Sequence, residues 1–354
     1  MKKITSLEYN TVLFFLIRAC FIEISSSIII ASSKEDAWIS ILIGFLFGLM
    51  IFFLYEKMKS QYNDKDIIEI NFINFKHLGF LVNFVILIGV LIFTICNFWS
   101  LVHFIDSQFL YKTSTFIVTI AVFLPICYAS FKDLHILGKV SLVLFYIGMF
   151  FIIFILFGLV SGINTENIKP ILHNNIFYGA FVFIAFNILP IFLLTIIPKN
   201  MIKDYSKKMN LCFYFISTFS LLNVMFLTIS IFGIDLASIY NYPSFHLLKR
   251  VSVLDFIDRV ESILSLEWIF SLFVLIIMGL LFIKQAIFKM FNFNKKTNNK
   301  IIFVICTLIA IITNFIFLTH GESDYFFTHY LIYFLYFSFL ILPFISYIKG
   351  LKKS

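Results

Sequence analysis

The chain has 354 residues, of which 61% are hydrophobic and 13% charged, and its mean hydropathy is +1.01. Soluble domains run to about 45–50% apolar and about 25% charged, so too few charges remain here to coat a water-soluble particle. That balance excludes a soluble catalytic domain and describes a chain whose solvent is lipid.

The first apolar run, Thr11 to Ala31, reaches the next without a small-x-small cleavage site and reads as a retained helix, not a signal peptide. Runs of about 20 apolar residues, the length of one crossing, follow near 38–56, 79–104, 114–130, 137–160, 177–198, 211–233, 262–285, 301–318 and 328–348, giving ten spans in all. The fourth and ninth are short, which leaves room for one to be re-entrant. With the N-terminus inside, the cytoplasmic segments hold twenty Lys, and the external segments hold six Lys or Arg. This is the positive-inside bias, and it predicts both termini in the cytoplasm. The net charge of +8 therefore orients the chain, and no motif marks a nucleic-acid surface.

Two polar stretches are longer than turns, 57–77 inside and 234–261 outside. Apolar residues at helical spacing in the second predict a short helix on the outer face. Cys20, Cys96, Cys127, Cys212 and Cys306 all lie in apolar runs, odd in number and without a Cys-x-x-Cys pair; small buried residues are expected, with no disulfide or metal site. Fifty Phe, and 24 Lys against three Arg, point to AT-rich codon bias. Phe stripes thus carry little information, whereas Arg18, Arg250 and Arg259 stand out.

Arg18 and Glu23 lie within the first span, Glu23 roughly 18 Å from its Thr11 end at 1.5 Å per residue and so near the bilayer midplane. A charge there costs about 2.5–3.5 kcal/mol on insertion scales. Glu23 is accordingly expected to be protonated, paired or facing a water-filled cavity, while Arg18 is expected to snorkel towards the cytoplasmic face. Ser25, Ser26 and Ser27 follow. Their hydroxyls weaken a helix as a discontinuous span at a binding site requires, or they bond back to the preceding turn. The sixth span carries Asn187 and Pro190 at its middle, and proline there frees a backbone carbonyl that lipid cannot satisfy. Breaks in the first and sixth of ten spans are the pattern of five helices repeated in inverted orientation around a midplane site. Asn97 and Ser100 share a face of the third span, with His103 a turn further on, placed for substrate contact or for ordinary interhelical hydrogen bonds. No nucleophile–base pair, His-x-x-x-His or phosphate loop is present, so no catalytic residues, metal or cofactor are expected.

Three segments carry a resemblance to a known family: Ile4-Thr5-Ser6-Leu7-Glu8-Tyr9 before the first span, Asp36-Ala37-Trp38-Ile39-Ser40 entering the second, and Tyr242-Pro243-Ser244-Phe245 through Arg250, Asp255-Phe256 and Arg259-Val260-Glu261 to Trp268. The last, an external Tyr-Pro, a basic residue and then Asp-Phe-x-x-Arg-x-Glu, is the specific one. The chain resembles the B subunit of bacterial spore germinant receptors, within the amino acid/polyamine/organocation transporter superfamily. The resemblance implies an all-α, LeuT-like membrane fold of two inverted five-helix repeats, 1–160 and 170–349 in a single transmembrane domain, with a nutrient site near the midplane. It implies A-type and C-type receptor subunits as partners, in the spore inner membrane. Family members usually place glycine in the first-helix break; here residues 11 to 43 contain none, so Glu23 and the serines would form it. The expected ligand site is Glu23, Ser25, Ser26, Ser27, Asn97, Ser100 and Asn187. Tyr242, Pro243, Arg250, Asp255, Arg259 and Glu261 are read as an external gate or partner contact. Nutrient sensing, with an amino acid as the expected nutrient, competes with two other readings: a permease coupled to protons or sodium through Glu23, and a non-transporting scaffold.

Overall fold

A computed structural model describes residues 3–250 and 265–352, with the backbone alone at 154–157 and 161. Among the described residues the regular elements are all helical, apart from two-residue strands, Ile4–Thr5 and Ile202–Lys203, that pair in parallel. Eight helical stretches are long and apolar enough to cross a membrane: Ser6–Gln61, Ile67–Gln108, Leu134–Ile153, Ile176–Ile196, Lys207–Ile239, Leu266–Phe291, Lys295–Thr313 and His320–Leu351. Thr115–Ser130 is apolar but shorter, with 16 residues.

The 56-residue stretch would measure about 84 Å as one straight helix, far beyond the roughly 30 Å of hydrocarbon one crossing needs. It is broken at Lys34, whose φ of 46° lies in the left-handed region, and the predicted spans 11–31 and 38–56 lie on either side of that break. Asp36 fixes the corner. Its carboxylate accepts from the backbone N–H groups of Leu172, His173 and Asn174 at 2.7, 2.8 and 2.9 Å, binding this turn to the segment before Ile176.

Two helices form the centre. Every residue from Glu8 to Ser26 is buried, and so is every residue from Val182 to Ile197. Both are mostly apolar with no exposed polar face, and such helices belong in a core. The outer helices instead turn large apolar side chains such as Met50, Phe150 and Phe219 outward. On a soluble protein so much exposed apolar surface would be a liability; here it is the face offered to lipid. The Ala37–Gln61 helix approaches the centre through Gly44 and Gly48. A Cβ at Gly48 would sit 2.5 Å from the Tyr214 hydroxyl and 3.0 Å from Ile188, so only glycine permits that spacing.

The polar 57–77 stretch also contains a helix, Ile67–Phe75, started by a capping box in which Asp66 and Glu69 each accept from the other's backbone N–H. Within 234–261, read from the sequence as external, the predicted short helix is Pro243–Leu248, with proline in its first turn.

Candidate functional site

Both central helices lose regular pitch midway. The first runs as α-helix from Ser6 to Arg18, turns at Ala19 and Cys20, winds to π pitch over Phe21–Ser25 and resumes at Ser26. The other is α-helical from Ile176 to Phe183, π-wound over Ile184–Ile188 and 3₁₀ over Leu189–Ile196, with Pro190 opening the tight segment. Such turns take donors and acceptors out of the regular ladder.

The two irregular turns are joined by side chains. Ser25 donates its hydroxyl to Asn187 Oδ1 at 2.7 Å, and Asn187 Nδ2 donates to the carbonyl of Ile17 at 2.8 Å. Ser26 and Ser27 bond back to Ile22 and Ile24 in their own helix. Asn97 accepts from the Cys20 thiol at 3.0 Å and donates to the Phe93 carbonyl. Ser100 is fully buried, and its hydroxyl has no partner among the described residues.

Glu23 is 6% exposed. Its Oε1 accepts from the Tyr242 hydroxyl at 3.4 Å, while Oε2 has no partner among the described residues. Tyr242, read from the sequence as a gate residue, thus reaches the same place as the predicted ligand residue Glu23. The Tyr242 hydroxyl also lies 2.9 Å from His320 Nε2. The His320 ring packs on His103 at 4.3 Å between centroids, and His103 stacks on Trp99 at 4.7 Å. His320 and Trp99 escape sequence reasoning because neither interrupts an apolar run.

Pro243 opens the outer helix next to Tyr242. Arg250 is exposed, with its guanidinium 5.7 Å from the centre of the Phe232 ring. Asp255, Arg259 and Glu261 lie outside the described residues.

Arg18 corrects the expectation that it snorkels. It is 1% exposed and grips Glu267 with two bonds, Nε to Oε1 at 2.8 Å and Nη2 to Oε2 at 2.9 Å. Ser220 accepts a further bond from Nη1, and the guanidinium lies over the Phe14 ring. Burial among these partners replaces the route to water. Glu267 was missed, although an acid one turn into an apolar span is itself a signal of function or pairing. Cys212 is also a correction: it is exposed, unlike the other four cysteines.

A cavity of about 20 Å³, room for one water, touches Arg18, Ser220, Ser244 and Glu267. A larger one of about 570 Å³ lies at the lysine-rich end, against Lys132, Lys284, Gln285, Lys289 and Asn298. The predicted ligand residues line neither. At that end Glu56 accepts from Asn210 Nδ2 at 3.0 Å and from the Tyr205 hydroxyl, and Asn210 Oδ1 accepts from Asn10 at 2.9 Å. Together with the Ile4–Ile202 strand pairing, these bonds tie the start of the first helix to the segment after Ile196.

The fold and these buried polar groups define an all-helical, multi-pass membrane protein. Residues 9–323 match the sequence model of a family described as spore germination protein, and the chain belongs to that family. It is a permease-type family, not an enzyme class. Among curated relatives, "Putative spore germination protein YfkT" of Bacillus subtilis (strain 168) is 24% identical over 247 residues, covering 68% of this chain and 67% of the relative. "Spore germination protein KB" of the same organism is 26% identical over 266 residues, covering 70% and 69%.

Proposed function

We propose that the chain is the nutrient-sensing membrane subunit of a spore germinant receptor, working in the spore inner membrane with A-type and C-type subunits. In this reading it crosses the membrane ten times, as two inverted five-helix repeats over 1–160 and 170–349, with the Ser6–Gln61 stretch supplying two crossings and Thr115–Ser130 one. A small nutrient, an amino acid, binds where the two central helices lose their pitch. The observation that carries the reading is the Ser25–Asn187–Ile17 junction. It couples the two broken helices at the level of Glu23, so a ligand exchanging hydrogen bonds with either break changes how the helices are held together. A ligand shifts such an equilibrium only through differential contacts with its two states, and these bonds are contacts that can be exchanged.

Deletion of the gene in its spore-forming host tests the role. The expected result is loss of germination in response to at least one nutrient, with unchanged germination under nutrient-independent triggers. Unchanged germination with every nutrient would refute it.

Glu23 Oε2, without a partner among the described residues, favours one alternative, an amino acid permease coupled to protons or sodium. Uptake by the purified chain in liposomes, without partner subunits, would favour that alternative over sensing.

A further inference from the structure

The hydrogen bonds around Glu23 have a direction. A phenol has one proton to give, and the Tyr242 hydroxyl donates towards Glu23 Oε1 at 3.4 Å. Its lone pairs are left to accept, and in the Nε2–H tautomer His320 donates to it, with Nε2 at 2.9 Å. In a neutral ring the free acceptor is then Nδ1. His320 and His103 are both half-buried. On the sidedness given by the lysine count, they stand at the outer ends of their helices. A half-buried imidazole, a buried phenol and a buried carboxyl thus follow one another from the outer face inward. The Tyr242–Glu23 link is the looser of the two, a distance that a small side-chain movement closes.

Other polar groups stand around this row. Asp324 faces Glu23 from the helix that carries His320, Cys20 faces it from its own helix, and Asp106 lies beside His103. Ser107 lies against the Tyr242 hydroxyl. Among the described residues no Lys or Arg pairs with Glu23, and no group of acidic, Cys and His side chains could hold a metal ion. Glu23 has one oxygen bonded and the other without a partner among the described residues, which leaves a place for one proton on the carboxyl group.

We propose that Glu23 is a proton site loaded from the outer face through His320 and Tyr242. A proton taken up at His320 Nδ1 releases the Nε2 proton to the Tyr242 oxygen as the phenol proton passes to Glu23. The net change is one proton moved from outer solution to the carboxylate, with the imidazole and the phenol both neutral afterwards. Rotation of the hydroxyl and exchange of the ring proton restore the starting arrangement. The proton path needs no nutrient, so its failure would leave the nutrient site standing.

The test is infrared difference spectroscopy on the purified full chain after a pH jump, following the protonated-carboxyl band assigned by its loss in Glu23→Gln. In the wild type the band should follow pH. In Tyr242→Phe, which removes only the hydroxyl, and in His320→Gln, which cannot relay a proton between two ring nitrogens, the response should slow on the order of tenfold or more. The final amplitude in Tyr242→Phe should match the wild type, which separates a lost path from a lost fold. A wild-type response rate in Tyr242→Phe would overturn the path, and the absence of any pH-dependent Glu23 band would overturn the site.

Discussion

Arg18 and Glu267, 249 residues apart in the chain, meet in the interior as a two-bonded ion pair with both side chains almost fully buried. The pair joins the first central helix to the Leu266–Phe291 helix. Removing one partner of such a pair strands a charge, at about 3–5 kcal/mol, whereas replacing both with apolar side chains is often tolerated. Glu267→Gln is therefore expected to lower the thermal unfolding temperature of the purified protein sharply, and Arg18→Met combined with Glu267→Leu to recover most of the loss. Equal damage from the single and double variants would show that the pair does more than balance charge.

The glycine contact makes a second prediction. Gly48→Val puts carbon where the Tyr214 hydroxyl and Ile188 already stand. Overpacking of this kind costs about 1–3 kcal/mol, so a lower unfolding temperature is expected, partly restored by Ile188→Ala. No change would mean that the two helices are not held at this spacing.

Asp36 supplies the third. Its carboxylate serves three backbone N–H groups at residues 172–174, and Asp36→Ala leaves them without acceptors. Amide hydrogen exchange at 172–174 should accelerate by at least tenfold, the equivalent of about 1.4 kcal/mol, while exchange within Ile176–Ile196 stays slow. Unchanged exchange at 172–174 would contradict the latch.

His246 makes the outer helix pH-sensitive. It stacks on Tyr240 at 4.0 Å, and burial, with Lys249 nearby, lowers its pKa from the usual 6.5 to about 4. A histidine held neutral in the folded state contributes stability that is complete above its unfolded pKa. That contribution is lost as pH falls from about 6.5 towards 4. Proteolysis within 240–250 is expected to speed up over that window, and His246→Phe should flatten the profile. A flat wild-type profile would contradict this.

How much of this was legible follows from where each signal lies in the chain. The membrane runs were, because an apolar segment that must satisfy its own backbone in lipid leaves a continuous local pattern. The two breaks were as well, because Glu23 and Pro190 interrupt such runs. Partners were not. Glu23 meets Tyr242 across 219 residues and Ser25 meets Asn187 across 162, and no local pattern carries that distance. The helix at Ile67–Phe75 stayed hidden in a polar stretch, although its Asp66-x-x-Glu69 capping box was a readable start signal. Glu267 was readable too, as an acid inside a span, but the partner that explains it was not.

A ligand site at the break beside Glu23 is tested by nutrient-induced thermal stabilisation of the purified full chain, with single amino acids added to wild type and to Glu23→Gln. A ligand that binds only the folded state raises stability by RT ln(1 + [L]/Kd), about 2.7 kcal/mol at a hundredfold excess over Kd. A rise in unfolding temperature with at least one amino acid is expected, lost in Glu23→Gln while the unliganded variant unfolds as the wild type does. A rise of the same size in wild type and variant would contradict it.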